Sequence, residues 1–251
     1  MAAPVLEGEA SFNVPDGRKT GSTWYKVHGN IEDSNLPALV TLHGGSGAGH
    51  EHLSPLNDLY SKYGIPIVYY DQVCCGRSTH YRETMGDTSF WTFDLFIREL
   101  DNLGGMLSAV YATRNPKGLR KLIIVSSPAS VPLYVVENDQ LRSKLPKDIR
   151  ETLEKTDHDT PEYAKASVFF YKNHVCQLDP CPEDVQKISD RIVVDALVLN
   201  GRYDEMTNIC VKPWFRAIPR VRWVIFEDSS HMAHWEQRDR FIEVCGGFLS
   251  Y

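Results

Sequence analysis

Five short apolar runs, separated by longer amphipathic stretches, constrain this chain more than any other feature. "ALVTLHGG" (38–45), "IPIVYYDQ" (65–72), "KLIIVS" (121–126), "DALVLN" (195–200) and "RWVIFE" (222–227) are nearly continuous in apolar residues and end in glycine or a polar residue. A strand that alternates polar and apolar residues buries one face. A continuous run suits burial of both, as in a parallel sheet covered by helices. Between the runs the apolar residues recur at helical spacing. Phe93, Phe96, Leu100 and Leu103 share one face of a helix that Thr92 can cap, and Met106, Leu107, Val110 and Tyr111 mark a second helix stopped by "RNPKG". Strands alternating with helices predict right-handed βαβ units, hence an α/β fold with a mostly parallel sheet. Upstream, "EASFNV" (9–14) and "STWYKVH" (22–28) flank the turn-rich "PDGRKTG" and predict an antiparallel hairpin.

Residues 131–190 break the alternation. "LRSKLPKDIRETLEK" and "TPEYAKASVFFYKNHV" are amphipathic with no strand between them, and the second has Thr160 to cap it and Pro161 at its first helical position. They read as a helical lid over the carboxyl edge of the sheet, or as two ordinary packing helices. The chain then divides into a first core segment (1–130), the helical segment (131–190) and a second core segment (191–251). At 251 residues, 42% hydrophobic and 24% charged, it can bury a substantial core and does not read as disordered. A net charge of −6 with no dense Lys/Arg run argues against nucleic acid or an anionic membrane as partner. No apolar run approaches the roughly 20 residues of a membrane span, and the N-terminus lacks a basic segment followed by an apolar one, so the expectation is a cytoplasmic protein. The six cysteines, at 74, 75, 176, 181, 210 and 245, form no CxxC pair and read as reduced thiols rather than a zinc site or a disulfide framework.

In open α/β sheets, sites form beyond the carboxyl ends of strands, so the segments following each run carry the chemistry. After 38–43 comes "HGGSGAG", where Gly44 and Gly45 leave backbone N–H groups able to face a developing oxyanion. After 195–200 comes "GRYDE", placing Asp204 just past a strand end. After 222–227 comes "DSSHMAH", placing His231 likewise. An acid and then a histidine on the loops of consecutive strands form the acid–base half of a Ser…Asp…His triad in α/β-hydrolase order. His234, three residues on and at the start of a helix, reads as a helix-terminal residue. His50, Glu51 and His52 offer two imidazoles with no further ligand in view, so no metal is expected. The nucleophile itself is missing. No serine stands in G-x-S-x-G: Ser46 and Ser78 do not complete the motif, and Ser126 and Ser127 end the strand after the expected turn. Cys74 or Cys75 in its place would need a thiolate within reach of His231.

The stretches "LHGGSGAGHEHLSPL", "YYDQVCCGRSTH", "WTFDLFIRELDNL", "GLRKLIIVSSPASVPLY", "LNGRYDE" and "SSHMAHWE" resemble the proline iminopeptidase family of α/β-hydrolases nearly end to end. The resemblance implies an α/β-hydrolase fold with a helical lid, Asp204 as acid, His231 as base and the Gly45 region as one side of an oxyanion hole. It also implies no cofactor. The implied substrate is a short peptide that loses its N-terminal residue, often proline, or an amino-acid amide or ester. Against the family pattern, "ELDNL" runs straight into "GGM". About 15–20 residues normally lie between Leu103 and Gly104, holding a whole strand and G-x-S-x-G-G. One central strand is therefore expected to be absent, and with it the serine. A second gap falls near Ile188–Ser189, where the family's lid continues with a glutamate-bearing segment that holds the substrate's amine. Ser46 replaces the usual proline and Cys74 the usual glycine. Two outcomes follow: a hydrolase by lineage in shortened form, or an inactive relative that binds a small molecule or a protein.

Overall fold

The computed structural model describes residues 3–14, 20–32, 34–44, 49–92, 95–96, 99, 112–113, 116–128, 134–136, 139, 143, 146–153, 160–162, 165 and 192–251. They belong to two compact units, Met1–Arg114 with Arg238–Tyr251, and Asn115–Gln237.

The first unit is built on four strands in the order β1-β2-β4-β3: β1 (Val5–Asn13), β2 (Thr20–His28), β3 (Leu39–Val40) and β4 (Ile67–Tyr70). β1 and β2 form the expected antiparallel hairpin, with Val5 facing His28 and Asn13 facing Thr20. β2 also pairs antiparallel with β4, and β3 pairs parallel with β4. Helix α1 (Asn57–Tyr63) packs beside the C-terminal helix α5 (Arg238–Leu249). At their contact a Cβ on Gly246 would lie 2.2 Å from the Tyr63 ring, so the glycine is what allows the close approach. The bidentate Arg238–Asp58 bridge (2.7 Å for each bond) aligns the two helices at an exposed site, where such pairs add little stability.

The second unit is a parallel sheet in the order β5-β6-β7: β5 (Lys121–Val125), β6 (Asp195–Gly201) and β7 (Val221–Phe226), with β5 pairing β6 and β6 pairing β7 in register. Helices α2 (Lys147–Leu153), α3 (Asn208–Ala217) and α4 (Ala233–Glu236) belong to the same stretch of chain. α3 is capped by Thr207, whose hydroxyl accepts the N–H groups of Ile209 and Cys210. Within 131–190, residues 134–136 and 161–162 are helical along with α2; the remainder of the expected lid lies largely outside the described residues. No helix among the described residues is long and apolar enough to cross a membrane.

Among the apolar runs, burial on both faces is most complete in the two strands with neighbours on both sides. Ile67, Tyr69 and Tyr70 of β4 and Ala196–Leu199 of β6 are at most 2% exposed. It fails at the sheet ends. β5 alternates, with Leu122 and Ile124 buried and Lys121, Ile123 and Val125 half-buried, and the two residues of β3 are half-buried. β3 and β5 each have a strand partner on one side only among the described residues, so one flank of each lacks the cover that continuous apolar runs anticipate. The β3 ladder is also shorter than the run at 38–45, although the Thr41 N–H still reaches the Val68 carbonyl at 2.8 Å.

Cys74 adopts φ +64°, a conformation that suits the glycine the family resemblance leads one to expect there, and its Sγ accepts the Tyr81 N–H at 2.9 Å. Cys210 and Cys245 are buried, Cys74 and Cys75 half-buried, and all four are unbridged; Cys176 and Cys181 lie outside the described residues. Of the helix expected to start at Thr92, Leu95, Phe96 and Glu99 are helical, and the Thr92 hydroxyl accepts the Leu95 N–H at 3.2 Å. Leu95 joins Phe12, Val14, Val73, Tyr81 and Phe90 in a core cluster against which Phe96 packs. Phe93, Leu100 and Leu103, and the second helix marked by Met106, Leu107, Val110 and Tyr111, lie outside the described residues.

The buried face of that helix carries a carboxylate. Glu99 is 1% exposed; its Oε1 accepts the Thr23 hydroxyl and the Val73 N–H, both at 2.8 Å, and its Oε2 has no partner among the described residues. Burial pushes the Glu99 carboxyl up to about 7, against the two hydrogen bonds that favour the anion. The unfolded chain releases this proton near pH 4.5 and the folded chain near 7, so the folded state holds more protons between the two and loses stability as pH rises through that window. Glu99→Gln therefore leaves stability unchanged at pH 4 and raises it by about 3 kcal/mol at pH 8. Urea midpoints of the variant and the parent at the two pH values measure this, and a gain equal at both would contradict it.

Candidate active site

β6 and β7 run parallel and in register, so the segments after them emerge side by side. After β6 the chain turns tightly, the Asp204 N–H reaching back to the Gly201 carbonyl. The Asp204 carboxylate is fully buried. Its Oδ1 accepts the Met206 N–H at 2.9 Å and lies 3.0 Å from Nδ1 of His231. Its Oδ2 has no partner among the described residues. A carboxylate can only accept, so Nδ1 carries the hydrogen and Nε2 keeps its lone pair in the neutral ring. This bond to Asp204 raises the His231 pKa above its ordinary value, against the opposing effect of burial, and the charges of Asp204, Glu205 and Glu236 add to the rise. The His231 side chain is 44% exposed, so water screens the pair's contribution to stability, and its consequence is the fixed tautomer and ring orientation.

Two residues that sequence reasoning did not single out shape this pair. A Cβ on Gly201 would stand 2.1 Å from the Ser230 carbonyl oxygen and 2.3 Å from that of Ser229. The loop that carries His231 crosses the end of β6 only because residue 201 has no side chain. Glu205 is half-buried beside the pair; burial raises its pKa, Asp204 adds to the rise and His231 opposes it. Adjacency to Asp204 is the only sequence signal for Glu205, and a lone glycine at a strand end carries none. Ser126, at the end of β5, donates its hydroxyl to the His231 carbonyl oxygen at 3.3 Å, so its hydrogen is directed at the backbone and not at the ring. His234 is buried within α4.

The glycine turn belongs to the first unit. His43 is buried, and its Nε2 accepts the Gln72 N–H at 3.0 Å, which requires a neutral ring. Burial lowers its pKa in the same sense. Gly44 follows it, exposed, with nothing within 4 Å of the place a Cβ would take. Gly45 and Ser46 lie outside the described residues. Past the turn, Asp71 gathers three donors: the His50 N–H (2.9 Å), His50 Nδ1 (2.9 Å) and the Arg77 N–H (3.0 Å). Burial opposes these bonds, yet together they hold the Asp71 carboxyl below the usual range. Asp71 and Glu51, not His52, are the acidic neighbours that complete a cluster with His50. His52 Nδ1 instead donates to the Gly49 carbonyl at 2.8 Å. Both tautomers are thus set by hydrogen bonds that close the turn.

No family model matches the chain. Proline iminopeptidase of Saccharolobus solfataricus is 34% identical over 296 residues, covering 95% of this chain and 93% of the relative. The chain belongs to the proline iminopeptidase family. Proline iminopeptidase of Thermoplasma volcanium is 28% identical, over 84% of this chain and 88% of its own length. Among solved structures, that of VinJ superposes with a TM-score of 0.83 at 36% identity, covering 97% of this chain and 98% of that one. The proline iminopeptidase of Mycobacterium smegmatis superposes with a TM-score of 0.76 at 30% identity, over 96% and 97%. The chain is thus an α/β-hydrolase by fold and by family. The match to the Saccharolobus proline iminopeptidase spans 296 positions against 251 residues here, so the relative alone fills at least the difference of 45.

Proposed function

We propose that this chain is built on a Ser–His–Asp hydrolase plan for releasing an N-terminal, proline-type residue from short peptides, or for cleaving an amino-acid amide or ester, and that it lacks the nucleophile. The observation that carries this reading is a formed Asp204–His231 pair, Nδ1 to Oδ1 at 3.0 Å, in a chain with no serine in G-x-S-x-G. In that plan His231 Nε2 takes the proton of an attacking hydroxyl and returns it to the leaving amine, while Asp204 fixes the tautomer and stabilises the imidazolium. The name proline iminopeptidase, shared by the relatives, supports the N-terminal-proline substrate. The carboxylates of Asp204, Glu205 and Glu236 make the surroundings of His231 negative, which supports a substrate that carries a protonated amine. Without the hydroxyl no acyl-enzyme forms, and the pair alone has nothing to deprotonate but water or ligand.

The second reading, an inactive relative that binds a small molecule or a protein, draws its support from the same pair: it is kept and hydrogen-bonded although the serine it would serve is missing. The message spanning the Leu103 and Gly104 codons separates the two. A dominant longer message encoding a strand and G-x-S-x-G-G makes this chain a shortened version of a working hydrolase. A message reading Leu-Gly-Gly-Met without interruption favours the binding protein.

A further inference from the structure

Ser126 directly follows β5 with φ +44°, in the left-handed region that few residues other than glycine adopt. The one other described non-glycine residue of this kind is Cys74. Ser126 is 9% exposed, its N–H is bound to the Leu199 carbonyl at 2.8 Å, and its hydroxyl reaches the carbonyl oxygen of His231, 105 residues away, at 3.3 Å. Strained backbone persists where the surrounding contacts over-determine it.

The loop between β7 and α4 has several anchors, and most hold residues other than His231. Tyr203 N–H binds the Ser229 carbonyl, and the Ser229 hydroxyl binds Gln237. The Ser230 N–H and hydroxyl bind Glu236, and the Met232 carbonyl takes the N–H groups of Trp235 and Glu236 at the start of α4. Among the described residues, the anchor on the backbone of His231 itself is the Ser126 hydroxyl. We infer that Ser126 is a positioning residue: its left-handed turn aims the hydroxyl at the His231 carbonyl and so sets the backbone from which the imidazole reaches Asp204. The inference rests on the Asp204–His231 pair being the acid–base half of the site.

The test is the proton titration of His231 by imidazole NMR in the full chain, assigned by loss of its signal in His231→Gln. Asp204, Glu205 and Glu236 are the charged groups beside the ring and stay in place in the Ser126 variants. Ser126→Ala removes the hydroxyl and keeps the strained backbone; Ser126→Gly removes both and melts higher than the alanine variant. Both are expected to lower the His231 midpoint by about half a pH unit, in the same direction as Asp204→Asn. A midpoint moved by Asp204→Asn but by neither Ser126 variant overturns the positioning role and leaves the pair standing. A midpoint moved by none of the three removes the pair, and the inference with it.

Discussion

With the strand and G-x-S-x-G turn of a family member inserted between Leu103 and Gly104, kcat/KM toward an N-terminal-proline arylamide rises at least about a thousandfold over the 251-residue chain. Removing a triad serine leaves only the rate that binding and oxyanion stabilisation supply. Here the turn would also have provided an oxyanion N–H, and one such donor is worth about a hundredfold to a thousandfold by itself. The gain must pass through the pair seen in the structure. His231→Ala in the inserted chain is therefore expected to return it to the starting rate, and Asp204→Asn to forfeit most of the gain in kcat by releasing the tautomer that the 3.0 Å bond fixes. If, as the family resemblance implies, a glutamate-bearing segment near Ile188–Ser189 is also absent, KM stays high in the inserted chain. An inserted chain that folds and gains nothing, or one whose gain survives His231→Ala, would remove the roles proposed for Asp204 and His231.

Gly201→Ala is expected to be the most damaging single methyl in the second unit. The added carbon meets two backbone carbonyl oxygens, at 2.1 and 2.3 Å, and not the yielding end of a side chain. Either β6 or the Ser229–Ser230 backbone must shift, and overpacking of this kind costs about 3 kcal/mol. For a chain of this length that lowers the melting temperature by about 10 °C. The shift also parts the two loops, so the raised His231 midpoint is lost in whatever fraction remains folded. A melting temperature within a degree of the parent's would show that the loops do not cross here as described.

What the sequence alone conveys follows from where periodicity speaks. The hairpin, the parallel strands and the positions of Asp204 and His231 were legible because each loop residue is a short, countable step from an apolar run. Burial of β3 and β5 was over-read, since an apolar run reports what a strand can bury and not which neighbours it has. Glu99 was missed because a carboxylate at a helical position reads as part of the polar face; its burial shows only once Thr23 and the Val73 N–H are found waiting for it. Gly201 and Ser126 were invisible for a different reason. One depends on the backbone of a loop 28 and 29 positions away, the other on a dihedral angle, and neither leaves a pattern in composition or spacing.

The central claim is that this chain holds an acid–base pair with no serine activated by it. The direct measurement is exposure of the full chain to a fluorophosphonate probe followed by intact mass and peptide mapping. The account predicts no adduct on any serine, under conditions that fully label a family member carrying the G-x-S-x-G turn. A stoichiometric adduct on one serine, abolished by His231→Ala, would contradict it.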